Sequence, residues 1–248
     1  MTKFSKFAIA VSISLATFAA GANAVTLLDE PFNYPDGPLV GAPGSPWTTN
    51  SGTTMQQNVV GGRLFIDDNE TEDTIASLSS SVTSGTITAT FELQMDPLDI
   101  VTSGTGDYIT HFVGSNNAFI GRVFMLTDPG STGTTFRIGI STGASTPNAI
   151  FTSVFTTGTT YSLSLTYDLT TNVATLTTAG FGSITSTDAI DNNNINRYGF
   201  RQATSTGDVF IDNLVIDGTA IPEPATYAMM FVGAGLLLGM QRLRRKAS

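Results

Sequence analysis

The chain has 248 residues, with 20 acidic and 11 basic side chains, one histidine and no cysteine. Residues 25–221 hold 19 of the acids but only five basic residues, all arginine, which gives this part a net charge of −14. Such a charge argues against nucleic-acid binding, which needs clustered cations. The missing cysteines exclude disulfides and Cys-His catalytic sites and make a zinc site improbable.

The first 24 residues have the pattern of a secretory signal peptide. Lys3 and Lys6 form a positive start, residues 7–20 form a short apolar core, and a small-residue cleavage site follows at Ala22 and Ala24. We therefore predict a signal helix that the Sec translocon exports and that is removed after Ala24. A retained anchor is disfavoured because the apolar core is short.

Residues 25–220 are predicted to form one all-β domain. Residues 85–95 and 160–168 alternate apolar and polar side chains with a period of two, which is typical of a half-buried antiparallel strand. Further strands are predicted at 62–67, 74–79, 107–113, 118–127, 134–141, 149–155, 172–178, 196–202 and 208–216. Glycine, asparagine and aspartate separate these stretches, so the sequence predicts a two-sheet antiparallel β-sandwich.

The two ends of this domain resemble a known fold family. Residues 32–39, FNYPDGPL, followed by Trp47, resemble the opening segment of concanavalin A-like, laminin-G-type jelly rolls of bacterial surface proteins. Residues 207–216 resemble their final strand. The resemblance implies a jelly roll in which the first and last strands pair and bring the two ends of the domain together.

An acidic loop is predicted after the strand at 62–67. Four of its carboxylates are candidate ligands for calcium: Asp67, Asp68, Glu70 and Asp73. Carboxylate oxygens are the hard ligands that calcium prefers, but the spacing fits no EF-hand, and a solvated acidic loop is the alternative. A second, smaller group of oxygen-bearing side chains lies in the final strand: Asp208, Asp212 and Asn213.

Few residues suggest catalysis. His111, the only histidine, stands in a predicted strand, where we expect a packing or surface role. Glu92 and Asp96 come nearest to the paired carboxylates of glycoside hydrolases, but their spacing differs from that motif and Pro97 ends the strand. We therefore expect no catalytic residue. Three aromatic side chains are candidate platforms for a sugar ring, with core packing as the alternative: Trp47, Tyr108 and Tyr198.

Residues 221–248 have three parts in a fixed order. The motif Pro222, Glu223, Pro224 precedes an uncharged apolar run at 225–240, and a basic cluster follows. The cluster consists of Arg242, Arg244, Arg245 and Lys246. At about 1.5 Å per residue the apolar run spans about 24 Å, somewhat less than a bilayer core, so we predict a marginal transmembrane helix. Its basic end is expected to stay on the cytoplasmic side.

This order resembles the PEP-CTERM sorting signal of Gram-negative bacteria. The resemblance implies that a membrane-embedded exosortase recognises the segment, cleaves near Pro-Glu-Pro and passes the protein to the cell surface or extracellular matrix. Proteins with this signal typically accompany exopolysaccharide production. An ordinary single-pass anchor is the alternative.

The sequence therefore predicts an exported, non-enzymatic protein that is first anchored in the inner membrane and then released. We expect it to be associated with exopolysaccharide and biofilm and to bind carbohydrate, with calcium as the candidate cofactor. Two alternatives remain open at this point. In the first alternative the protein is a purely structural surface component without a ligand. In the second it is a glycoside hydrolase-like enzyme.

Overall fold

The computed structural model describes residues 24–99, 106–130, 133–188, 194–203 and 206–219. Within these ranges all regular elements are β-strands, and no helix there has the length and apolar character to cross a membrane. The strands are β1 (Ala24–Glu30), β2 (Gly37–Pro38), β3 (Trp47–Ser51), β4 (Asn58–Val60), β5 (Arg63–Ile66), β6 (Asp73–Val82), β7 (Thr86–Met95), β8 (Asp107–Gly114), β9 (Phe119–Thr127), β10 (Thr135–Ser141), β11 (Ala149–Ile150), β12 (Phe155–Thr156), β13 (Thr160–Asp168), β14 (Val173–Thr178), β15 (Gly182–Ser186), β16 (Ile195–Arg201) and β17 (Val209–Thr219).

Nine of these strands form one antiparallel sheet. Their order is β15-β14-β13-β7-β17-β5-β4-β2, and β1 also pairs with β17. Strand β17 pairs along one side with β7, and along the other side with β5 at residues 209–211 and with β1 at residues 214–219. The predicted pairing of the first and last strands of the domain is thereby confirmed.

The other eight strands form a second antiparallel sheet. Their order is β11-β10-β9-β8-β16-β6-β3, and β12 also pairs with β10. The two sheets pack face to face over a shared apolar core, so the predicted all-β two-sheet sandwich is confirmed for the described residues.

The core follows from the alternation read in the sequence. In β7 the residues Ile87, Ala89, Phe91, Leu93 and Met95 are at most 2% exposed, while the threonines between them are partly or fully exposed. Burying one such large apolar side chain contributes about 1.5–3 kcal/mol. Many strands contribute in the same way, which explains how the domain is held together without disulfides.

The segment that resembles the jelly-roll opening is fixed by one buried carboxylate. Glu30 is 2% exposed and accepts hydrogen bonds from the Tyr34 hydroxyl at 2.8 Å and from Trp47 Nε1 at 2.9 Å, both on Oε2. Its Oε1 accepts the backbone N–H of Phe32 at 2.8 Å. These bonds tie the end of β1 to the start of β3 and hold Trp47 inside the core.

The observed strands differ from the predicted ones at the sheet margins. The predicted strand at 149–155 is two short strands, β11 and β12, which pair with different parts of β10. Strands β1 to β4 and β15 were not predicted. Strands β2 to β4 and β15 have two to five residues each, and a bulge between Thr26 and Leu28 breaks the alternation of β1, so none shows a clear period of two.

Several predictions concern residues outside the described ranges. They are the signal helix with Ala22, the sorting motif at Pro222, Glu223 and Pro224, the apolar run at 225–240, and the basic cluster at Arg242, Arg244, Arg245 and Lys246. Ala24 is described: it is the first residue of β1 and pairs with Thr219 of β17.

Candidate functional site

Three carboxylates meet where β5 ends and β17 begins. Ile66 and Val209 are register partners, so the residues that follow Ile66 lie beside the residue that precedes Val209. Asp67, Asp68 and Asp208 each place a carboxylate oxygen within 4.8 Å of the others. We call these three residues the acidic cluster. The structure thus joins two of the predicted calcium ligands with one member of the second predicted group.

Both burial and like charge act on the acidic cluster. Burial, together with the charges of Asp67, Asp99 and Asp68, raises the pKa of Asp208 to about 6, although a hydrogen bond from the Asp68 N–H to Asp208 Oδ1 at 3.1 Å lowers it in part. Burial also raises the pKa of Asp68, with Asp99 and Asp67 as additional causes. A divalent cation would relieve this repulsion, and a set of carboxylate oxygens suits calcium.

The other two predicted calcium ligands lie in a neighbouring cleft of about 310 Å³. The residues that line this cleft are Glu70, Thr71, Asp73, Asp107, Arg201, Gln202 and Ala203. We call it the Arg201 cleft. The loop between β5 and β6 supplies Asp67 and Asp68 to the acidic cluster and Glu70 and Thr71 to the cleft, so the two features share one loop.

A buried glutamate holds the facing loop between β3 and β4. Glu72 is fully buried and accepts the backbone N–H groups of Met55 at 3.1 Å, Gln56 at 2.7 Å and Gln57 at 2.8 Å. The Thr49 hydroxyl donates a fourth bond at 2.5 Å. Because its oxygens are occupied in this way, Glu72 positions the walls of the site and is not a candidate ligand.

The outer face of the eight-stranded sheet concentrates the arginines of the domain. In β16 Tyr198 and Phe200 enter the core, so the residues that alternate with them face outward. The same alternation holds in β9 around Val123 and in β10 around Ile138. The four arginines placed on this face are Arg122, Arg137, Arg197 and Arg201. Only Arg63, in β5, belongs to the other sheet.

Arg201 connects the cleft to an aromatic side chain. Its Nη1 donates to the Tyr108 hydroxyl at 2.6 Å, and its Nη2 lies 3.1 Å from Asp107 Oδ2. The guanidinium carbon of Arg201 is 4.5 Å from the centre of the Tyr108 ring, and that of Arg122 is 4.9 Å from it. Of the three aromatic side chains proposed as sugar platforms, Tyr108 lies in this outer cluster, while Trp47 and Tyr198 are in the core.

His111 lies beneath this cluster and is 2% exposed. Burial, together with the charges of Arg122 and Arg201, lowers its pKa to about 3. The ring packs against Tyr108 and Phe119, and neither ring nitrogen has a hydrogen-bond partner in the described part of the chain. A histidine held neutral and without a carboxylate or serine partner is a packing residue, as the sequence predicted.

A second groove, on the outer face of the nine-stranded sheet, has the carboxylate of Glu92 and the side chain of Asn213 in its lining. Glu92 of β7 lies opposite Asp212 of β17 in the strand register, and Asn213 Nδ2 donates to Glu92 Oε2 at 3.3 Å. Burial raises the pKa of Asp212, and the charge of Glu92 adds to this. The groove has a volume of about 380 Å³. Asp96, the partner considered from sequence, lies at the end of β7, where its N–H donates to the Asp208 carbonyl at 2.9 Å.

Comparison with known proteins reveals the fold but no family. No protein-family model matches the chain, and no curated protein matches it in sequence. A winged bean acidic lectin complexed with methyl-α-D-galactose has a TM-score of 0.52 at 12% identity, over 81% of this chain and 100% of the lectin. A peanut lectin bound to a nine-residue peptide has a TM-score of 0.47 at 13% identity, over 81% of this chain and 100% of the lectin.

A sialidase is also similar, with a TM-score of 0.48 at 14% identity. The match covers 69% of this chain but 17% of the sialidase. At these identities the likeness to the winged bean lectin establishes a common fold and nothing more. That fold is the concanavalin A-like jelly-roll sandwich which the two ends of the domain led us to expect.

Proposed function

We propose that the β-sandwich binds carbohydrate at the Arg201 cleft. The observation that carries this proposal is the Arg201–Asp107 ion pair, which is held on the Tyr108 ring at the edge of an open cleft. A guanidinium and carboxylates offer the paired donors and acceptors that sugar hydroxyls need. The likeness of the fold to a lectin complexed with a galactoside supports the same ligand class.

We further propose that calcium binds at the acidic cluster and orders the loop between β5 and β6. The three carboxylates are hard oxygen ligands, and calcium accepts six to eight such oxygens, so backbone carbonyls or water would complete the set. Because the same loop supplies Glu70 and Thr71 to the cleft, calcium is expected to strengthen sugar binding without contacting the sugar.

The proposed setting of this binding is the cell surface or extracellular matrix of a Gram-negative bacterium. In this proposal the Sec translocon exports the chain, the C-terminal segment holds it in the inner membrane, and an exosortase releases it near Pro222, Glu223 and Pro224. The partner would then be an exopolysaccharide of the biofilm, and no catalysis is involved. The sequence motifs at both ends of the chain support this route.

A glycan array tests the binding proposal directly. The purified full chain, applied with calcium and with a chelator, is expected to bind a subset of glycans, more strongly with calcium. Arg201→Ala should abolish binding, whereas the matched variant Arg63→Ala, on the other sheet, should retain it. Absence of binding to any glycan would overturn the proposal and favour a purely structural surface protein.

The export route has a separate test. In a bacterium that encodes an exosortase, replacing Pro222, Glu223 and Pro224 by alanine should leave an uncleaved, membrane-bound chain. A released and shortened product from this variant would contradict sorting at that motif and favour an ordinary anchor with later proteolysis.

Glycoside hydrolysis is a second candidate function, because it uses two carboxyl groups and Glu92 and Asp212 lie opposite each other on neighbouring strands. Opposite residues of neighbouring antiparallel strands have Cβ atoms about 4.5–5.5 Å apart, so the two carboxyl groups can reach the separation of about 5–5.5 Å that retaining glycosidases use. The proposal predicts that the full chain releases no reducing sugar from polysaccharides. Release that Glu92→Gln abolishes would establish the enzyme instead.

A further inference from the structure

The Arg201 cleft carries more negative than positive charge. Three carboxylates line it, those of Glu70, Asp73 and Asp107, against the single guanidinium of Arg201. That guanidinium is already neutralised, since it forms an ion pair with Asp107 and donates to Tyr108. The charges of Glu70 and Asp73 therefore remain without a cationic partner of their own in the cleft.

Asp73 is a half-buried carboxylate of the cleft. Its Oδ2 accepts the Ser51 hydroxyl at 2.7 Å. Burial raises its pKa, and the charges of Asp107 and Glu72 raise it further, against the lowering effects of Ser51 and Arg201. Such a carboxylate disfavours an approaching anion and is stabilised by a cation.

Gln202 provides an independent indication that the cleft takes a ligand. This side chain lines the cleft and is only 3% exposed, yet neither its amide nitrogen nor its amide oxygen has a hydrogen-bond partner among the described residues. A buried amide without partners is costly, and such groups are rare in folded proteins. A sugar hydroxyl can donate to the amide oxygen and accept from the amide nitrogen, so it matches what Gln202 lacks.

The carboxylates of the cleft are too far apart to chelate a bare metal ion together. In the described residues the one group of three acidic or histidine side chains with ligand atoms within 4.8 Å is the acidic cluster, and it includes neither Glu70, Asp73 nor Asp107. The cleft volume of about 310 Å³ is at the lower end of the range for small-molecule sites. The ligand is therefore larger than an ion and about the size of one or two sugar units.

We infer that the Arg201 cleft binds an amino sugar, a saccharide unit whose free ammonium group lies against Asp73 and whose hydroxyl groups bond to Gln202. This inference rests on the proposed carbohydrate function and names its ligand class. It excludes sugars that carry a carboxylate, because the net charge of −14 between residues 25 and 221 and the negative lining of the cleft both repel them.

Isothermal titration calorimetry of the full chain at pH 6 tests this selectivity with three oligosaccharides of equal length. They are oligomers of glucosamine, of N-acetylglucosamine and of galacturonic acid. The glucosamine oligomer is expected to bind about fivefold more tightly than the acetylated one, as one exposed charge pair allows, and the uronate oligomer should bind weakest. Added salt should reduce the preference for the glucosamine oligomer over the acetylated one, because salt screens the attraction between the ammonium group and Asp73.

In the variant Asp73→Asn the affinities for the glucosamine and the N-acetylglucosamine oligomers should become nearly equal, while the neutral oligomer still binds. Asp29→Asn removes one negative charge at an exposed position of β1 and should leave the preference unchanged. Equal binding of the amino and acetylated oligomers, or tighter binding of the uronate, would overturn the inference and leave carbohydrate binding intact. Failure of all three saccharides to bind would also overturn the inference, and only failure on the whole glycan array would refute the proposed function itself. The salt series on the unaltered chain gives the same decision if Asp73→Asn does not fold.

Discussion

Replacing Asp208 by asparagine is expected to stabilise the calcium-free protein and to abolish its response to calcium. In the folded chain the pKa of Asp208 is about 6, against 3.8 for the free side chain, because of burial and of the neighbouring charges of Asp67, Asp99 and Asp68. Between these values the folded state holds a proton that the unfolded state has lost. The contribution of Asp208 to stability without calcium is therefore most favourable below pH 3.8 and becomes less favourable as the pH rises to about 6.

The size of the effect follows from this difference in pKa. A difference of that size corresponds to about 3 kcal/mol, and since the carboxylate is partly exposed, solvent screening reduces the expected effect to about 1 kcal/mol. Asparagine keeps the shape and the oxygen that accepts the Asp68 N–H, but not the charge. Calcium at a hundredfold excess over its dissociation constant should stabilise the unaltered chain by about 2.7 kcal/mol, and the variant far less.

Urea unfolding followed by circular dichroism, at pH values from 3.5 to 8 and with either calcium or a chelator, measures both effects. The matched control is Asp29→Asn, a change at an exposed position of β1, which should alter neither the pH profile nor the calcium response. The reasoning is refuted if Asp208→Asn is as responsive to calcium as the unaltered chain. It is also refuted if the gain in stability persists at pH 3.5, where the Asp208 side chain is largely protonated in both the folded and the unfolded state.

Three further substitutions probe the supports of the site. Glu72→Ala leaves three backbone N–H groups of residues 55–57 without their acceptor and should cost about 3 kcal/mol in urea unfolding, whereas an unchanged midpoint would contradict that role. Gly52→Ala would place a Cβ atom 1.8 Å from the Thr71 carbonyl oxygen at a backbone φ of +78°, so it should weaken glycan binding by moving the loop between β5 and β6. His111 has a pKa near 3 and stays neutral, so its ring should show no protonation by NMR at pH 5 and above. In the unfolded state His111 binds a proton below about pH 6.5, whereas in the folded state it stays neutral down to about pH 3. Acid therefore favours unfolding of the unaltered chain between pH 6.5 and 4, and His111→Phe should be less sensitive to acid. Equal acid sensitivity of the two proteins would show that His111 does not contribute to acid unfolding.

The central strands were predictable because their periodicity and their burial have the same cause. In β7 and β13 one face is covered by the other sheet, so the apolar residues alternate and the strand bounds at residues 85–95 and 160–168 nearly match the observed ones. The short strands β2, β3 and β4 lie toward the margins of the sheets and carry too few buried residues to leave such a pattern. Their pairing depends on neighbours that are distant in the chain.

The candidate ligands show a similar division. The acidic loop after β5 was visible in the sequence, because all seven side chains at residues 67–73 bear oxygen and five of them are acidic. Because these residues are close in the chain, the sequence predicted that Glu70 and Asp73 share a site with Asp67 and Asp68. In the structure Glu70 and Asp73 line the Arg201 cleft and are not part of the acidic cluster. Asp208 joins the cluster only because β17 pairs with β5.

Arg201 and Gln202 had no signal in the sequence that marked them as site residues. Arg201 became a candidate when β16 was found beside β8, which brings it to Asp107 and Tyr108. The concentration of arginines on one outer face could have been suspected from alternation within β16, β9 and β10. Only the order of the strands in the sheet shows that these arginines lie on one continuous surface.

By itself the sequence determined the all-β character of the domain, its lack of disulfides and its strong negative charge, because composition and local periodicity carry that information. The export and sorting segments at the two ends of the chain stay predictions from sequence motifs. Only the tertiary structure decided which acids gather at one point, which aromatic side chain lies on an outer face, and which groove each carboxylate lines. These depend on strand register between residues that are far apart in the chain. A pairing such as Ile66 with Val209 is fixed by packing of the whole core, and no local pattern encodes it.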